Sequence, residues 1–216
     1  NMLLKCIFAS AENNNLINYN PAVKVPASGG KPAKKKEILT DEQMKILLDA
    51  VRGLPPYPFI MIGLYSGLRR EEILALQWDD LNFVTGELRI NKSVSIIKTE
   101  LHVTEPKTKS SIRTILLPSD MLDILAEHKK NATCEWVFPS PVKEGEPRNP
   151  DSIYGKFQKI LKRAGCKKIR FHDLRHTFAT MALENGMDIK TLSAMIGHIS
   201  AETTLNIYSH ITDTKQ

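Results

Sequence analysis

The hydrophobic rhythm of this chain changes twice, and that restricts its fold more than any single motif does. Over residues 41–76 apolar side chains recur at helical spacing, in three runs at 41–52, 56–65 and 69–76. Between Leu81 and Leu117 the rhythm shortens. The runs at 88–90, 94–97, 101–103 and 112–117 read as strands, with Thr85-Gly86 as a turn. After Pro118 the helical spacing returns at 119–130, 151–164, 172–185, 189–196 and 202–209. The expected class is therefore α+β: a mostly helical domain with a small antiparallel sheet inserted among the helices. Local signals agree with these bounds. Thr40 with Gln43 three residues on fits a capping box, Gly186 fits a helix stop, and Asp188 fits a fresh N-cap.

The first residues follow another plan. Leu3, Leu4, Ile7, Phe8 and Ala11 give one amphipathic helix over 2–17, ending in or just after the Asn-rich stretch 13–15. Proline, glycine and the lysines Lys34, Lys35 and Lys36 follow without periodicity, which marks a linker. Residues 1–18 are thus expected to be the last helix of an upstream domain, 19–37 a basic linker, and 38–216 the main domain. The helical register opens without a cap, as expected of a cut inside a longer protein.

The net charge of +6 favours a polyanionic partner, nucleic acid first. Three cysteines, Cys6, Cys134 and Cys166, have no metal-ligand spacing and read as reduced thiols. No apolar run has transmembrane length, and no signal-peptide pattern opens the chain, so a cytoplasmic protein without a membrane partner is expected.

Four segments carry unusual polar residues. In Gly67-Leu68-Arg69-Arg70-Glu71-Glu72, Arg69 opens a helix, where free backbone N–H groups already favour anions, and Glu72 three residues on can brace it. Residues 105–111 lie between two strand-like runs and read as a hairpin tip bearing Lys107 and Lys109. In Phe171-His172-Asp173-Leu174-Arg175-His176, His172 and Arg175 share one helix face and suit a phosphate oxyanion. His172 and His176 lack the glutamate of a zinc-binding helix, so no metal is expected and His176 reads as structural. Last, Gly197 ends a helix, His198 follows it, and Tyr208 rides on the next short helix.

Each segment is ordinary alone. In this order, GLRREEILALQWDDL at 67–81, PKTKSSIRTILLP at 106–118, FHDLRHTFAT at 171–180 and IGHISAETTLNIYSH at 196–210 resemble the tyrosine recombinase, or phage integrase, family. The resemblance covers residues 38–212 and is nearest to integrases of temperate phages and conjugative transposons. A weaker likeness joins residues 1–18 to the last helix of that family's core-binding domain. The resemblance implies a site-specific recombinase that cleaves and rejoins double-stranded DNA at attachment sites, integrating or excising a mobile element. It implies no cofactor.

By the same resemblance, Arg69 and Arg175 clamp the scissile phosphate and Glu72 supports them. His172 orients the phosphate and exchanges the tyrosine proton, His198 donates another hydrogen bond, Lys107 protonates the leaving 5′ oxygen, and Tyr208 is the nucleophile. Lys109 and the linker lysines are expected on DNA. A free monomer, a tetramer on paired sites, and accessory DNA-bending or excision proteins are the implied assembly. A type IB topoisomerase, a DNA-binding regulator without catalysis and a metal-dependent nuclease are the rival readings. Relaxation without synapsis, absence of a covalent adduct and sensitivity to chelator, respectively, would mark each.

Overall fold

A computed structural model describes residues 2–25, 38–105 and 112–197, and the chain divides into two compact units, Asn1–Lys35 and Lys36–Gln216. In the first unit, helix α1 (Met2–Asn13) stops in the Asn-rich stretch. There Asn14 Nδ2 donates to Ser10 O at 2.7 Å and Asn15 takes a left-handed φ of 55°. Asn20, buried, folds the chain back: its Nδ2 donates to Lys5 O and its Oδ1 accepts from Ala22 N.

The second unit is built around a helix that is apolar on every side. Helix α2 (Asp41–Val51) begins at the expected capping box, with Gln43 N donating to Thr40 Oγ1 and Thr40 N to Gln43 Oε1. Helix α3 (Tyr57–Ser66) buries Phe59, Ile60, Met61 and Ile62 in succession, the pattern of a helix enclosed by others. It lies against α5 (Ser119–Lys129) and α7 (Phe171–Glu184). Phe59 packs on Phe171 with tilted rings at 4.7 Å and meets Phe138 edge-on at 5.3 Å. Gly63 makes this close approach possible, since a Cβ there would stand 2.8 Å from the Phe171 ring.

Helix α4 (Arg70–Leu74) is shorter than the run 69–76 suggests. The chain beyond it pairs across to 135–137 instead, where Val137 N donates to Leu76 O and Trp78 N to Glu135 O. Helix α6 (Pro150–Arg163) is capped by Asn149 and α8 (Ile189–Ile196) by Asp188, whose Oδ1 accepts from Thr191 N at 3.0 Å. The expected helix at 202–209 lies outside the described residues.

The strands are antiparallel, as expected, and only their division differs. They form two antiparallel pairs, not one sheet: β1 (Glu87–Ile90) with β4 (Arg113–Leu116), and β2 (Ser93–Ile97) with β3 (Glu100–Thr104). Burial sets the first register, since Leu88 faces Ile115 and both are in the core. The hairpin tip is corrected as well. The tight turn is Lys98-Thr99, with φ of 49° and 80°, the two positive values that a two-residue hairpin loop takes. The expected tip at 105–111 lies, from residue 106 on, outside the described residues, and β3 and β4 on either side of it pair with different strands. Among the described residues no helix is long and apolar enough to cross a membrane.

Candidate active site

Two helix starts and one strand start build a buried cluster of charge. Gly67 closes α3 with φ of 60°, a left-handed turn at which a Cβ would fall 2.4 Å from Phe178 Cδ1. Past this turn Arg69 takes the N-cap position of α4. Its N–H donates to Glu72 Oε2 and its Nη1 to Glu72 Oε1, both at 2.9 Å. The brace expected between Arg69 and Glu72 is therefore present. The Arg69 side chain is 40% exposed while that of Glu72 is only 7% exposed, so the arginine reaches solvent from a buried anchor.

Helix α7 repeats the device. Asp173, buried at its third position, accepts from Arg170 N at 2.7 Å and from Arg170 Nη2 at 2.8 Å. Thr177 Oγ1 accepts from Leu39 N and donates to Asp173 O. This helix start presents Arg175, which is buried and donates to Gly67 O at 2.8 Å and to Gly197 O at 3.0 Å. Arg69 Nη2 donates to the same Gly197 carbonyl at 3.3 Å. The two arginines thus converge on one oxygen, at the end of α8 and one residue before His198. His172, one turn before Arg175, is exposed, and its ring meets that of buried His176 edge-on at 4.7 Å.

Sequence reading missed Arg113. Its Nη1 and Nη2 donate to Glu72 Oε1 and Oε2 at 3.1 and 2.8 Å, and its Nε donates to Met195 O at 2.6 Å. The available signal was the period of two in β4, which puts Arg113 on the same face as the core residue Ile115. An arginine on that face requires a buried acid, and Glu72 supplies it.

Burial penalises the Glu72 carboxylate, but the hydrogen bonds and charges of Arg113 and then Arg69 outweigh it and hold its pKa below the ordinary range. Burial, followed by the charge of Arg69, lowers the Arg175 pKa; Glu72 opposes this shift and Arg113 adds to it. Among the described residues, the guanidinium groups of Arg69, Arg113 and Arg175 gather about the single Glu72 carboxylate, so positive charge exceeds negative there. Such a place attracts a phosphodiester and, more strongly, the extra negative charge of a pentacovalent phosphorus. The structure brings Arg69, Glu72 and Arg175 together. Lys34, Lys35, Lys36, Lys107, Lys109, His198 and Tyr208 lie outside the described residues.

The chain is similar to known proteins along nearly its whole length. The model of the phage integrase family matches residues 37–215. A XerC-like tyrosine recombinase of Caldanaerobacter subterraneus subsp. tengcongensis is 32% identical over 98% of this chain and 61% of its own length. The ICEBs1 integrase of Bacillus subtilis is 28% identical over 99% of this chain and likewise 61% of its own length. The chain therefore spans 61% of the length of these two relatives. Among solved structures, the integrase of transposon Tn1549 in complex with transposon right-end DNA superposes with a TM-score of 0.79. It is 25% identical and covers 94% of this chain and 71% of that one. With the family match running through nearly the whole second unit, and with its arginines gathered at one point, the chain belongs to the phage integrase family.

Proposed function

We propose that the chain is the catalytic part of a site-specific DNA recombinase, an integrase that cleaves and rejoins double-stranded DNA to move a mobile element in or out of a chromosome. The observation that carries this reading is the convergence of Arg69 and Arg175 on a single acceptor, with Glu72 behind them. A phosphodiester resists attack because its oxygens repel nucleophiles. Two guanidinium forks offset that charge and match two phosphate oxygens in geometry.

By family resemblance, Tyr208 Oη attacks phosphorus while the bond to the 5′ oxygen breaks. The tyrosine proton passes to His172, His198 donates to a phosphate oxygen, and Lys107 protonates the departing 5′ oxygen. Tyrosine with an unperturbed pKa of about 10 needs that cationic surrounding to act near neutral pH. The 3′-phosphotyrosyl bond conserves the energy of the broken one, so a new 5′-hydroxyl can reverse the step without ATP. In the same reading residues 1–18 close a core-binding domain, and 19–37 link it to the catalytic domain 38–216. Lys34, Lys35, Lys36 and Lys109 lie on DNA phosphates. The protein is a monomer when free and a tetramer on synapsed sites, works with accessory DNA-bending or excision proteins, and acts in the bacterial cytoplasm.

The test is Tyr208→Phe on a nicked suicide duplex carrying the DNA that flanks the encoding gene. The ring and its packing remain while the nucleophilic oxygen is gone. DNA affinity stays near the wild-type value and the covalent adduct on a denaturing gel disappears. An adduct that persists in the Phe variant defeats the assignment.

A further inference from the structure

Arg113 is the one member of the charged cluster that the reading above leaves without a task. It opens β4, six residues after Lys107 in sequence, and its side chain is 7% exposed. All three of its nitrogens donate, and they do so to two other elements: both Glu72 oxygens beside α4, and the Met195 carbonyl near the end of α8. A Cβ on Gly197 would stand 3.2 Å from Arg113 Nη1, so the guanidinium also lies against the residue whose carbonyl Arg69 and Arg175 share.

Glu72 has two oxygens, and each one takes a bond from Arg69 and a bond from Arg113. The Arg113 fork fills one side of the carboxylate and leaves Arg69 to approach from the other. The direction of the exposed arginine is thereby fixed by a buried one that does not itself reach the surface.

We propose that Arg113 is a positioning residue for DNA cleavage: acting through Glu72 and the α8 terminus, it sets the direction of Arg69 and ties the strand that follows Lys107 to the arginine pair. The inference rests on the proposed recombinase chemistry. It adds that the phosphate clamp and β4 are held in one register by a single side chain. Displacement of a catalytic group by about 1 Å can cost about a hundredfold in rate. Arg113→Met therefore slows adduct formation at saturating DNA by about that factor, with DNA affinity close to wild type, because Arg113 does not face the DNA. Arg113→Lys, which keeps the charge and one donor, recovers part of the rate.

The experiment is a double-mutant cycle on adduct formation, with the protein at full length and the nicked duplex from the gene's flank as probe. Glu72→Gln, Arg113→Met and the combined variant are compared at saturating DNA. If Arg113 acts through Glu72, the combined variant is no slower than the slower single variant. Should Arg113→Met alone fail to fold because it weakens the pairing of the buried Glu72 carboxylate, the combined variant carries no carboxylate there, and Glu72→Gln against the pair gives the same answer. Multiplying defects would overturn the proposal, as would a wild-type cleavage rate in a folded Arg113→Met with a lowered Tm only. Wild-type protein that forms no adduct would overturn the recombinase chemistry and this inference with it.

Discussion

Replacing Glu72 by glutamine tests the cluster most directly, because the shape is kept and only the charge is lost. The carboxylate accepts from Arg69 N, Arg69 Nη1, Arg113 Nη1 and Arg113 Nη2 at 2.9, 2.9, 3.1 and 2.8 Å. The amide keeps one acceptor oxygen and turns an NH2 group toward guanidinium donors. Among the described residues, Arg69, Arg113 and Arg175 then lose the carboxylate that they gather around. Breaking a buried pair by removing one partner costs about 3–5 kcal/mol. For a domain of this size each kcal/mol moves Tm by about 2–4 °C, so Tm falls by roughly 6–20 °C.

The pH dependence has a definite sign. Glu72 has a lowered pKa when folded, so its contribution is fully present above the unfolded value of about 4.3 and disappears as pH falls through the lower folded value. The Tm gap between wild type and Glu72→Gln is therefore flat from neutrality to about pH 5 and closes under more acid conditions. Thermal unfolding followed by circular dichroism from pH 3 to 8 measures both quantities. A loss below about 1 kcal/mol, the range of exposed ion pairs, would refute the claim that this carboxylate is a buried anchor.

Other substitutions read other parts of the site. Gly67→Ala forces a Cβ against Phe178 and Ile196 at a φ of 60°, so it destabilises by about 1–3 kcal/mol in denaturant unfolding and slows adduct formation by shifting the carbonyl that Arg175 holds. Inorganic phosphate binds the folded form and raises Tm, and at a hundred times its Kd it adds about 2.7 kcal/mol. Arg175→Met abolishes that rise if the arginine cluster is the binding site. Lys107→Ala slows cleavage of normal DNA by about two to four orders of magnitude and recovers on a substrate whose bridging 5′ oxygen is sulfur, whereas Arg175→Ala stays slow on both. Recovery of Lys109→Ala in place of Lys107→Ala would move the general acid two residues along.

The sequence by itself determined whatever depends on near neighbours. The helices at 41–51 and 189–196 follow from apolar spacing and from caps three residues wide, that at 119–129 from spacing after Pro118, and Arg69 with Glu72 was legible because they too lie three residues apart. Strand periodicity located the four runs, but a period of two names no partner. It therefore left open that the strands pair as β1 with β4 and β2 with β3. The tight turn at Lys98-Thr99 escaped notice because neither residue is the glycine or asparagine that usually signals positive φ.

Only the tertiary structure decided the site's electrostatics. Arg175 meets Gly67 O across 108 residues and Gly197 O across 22, and Arg113 meets Glu72 across 41. Those encounters arise because α3, with apolar residues all round, gathers α4, α5 and α7 about itself and so brings the helix starts to one place. Burial at that place, absent from any linear pattern, turns ordinary arginines into a cluster that, among the described residues, carries more positive than negative charge.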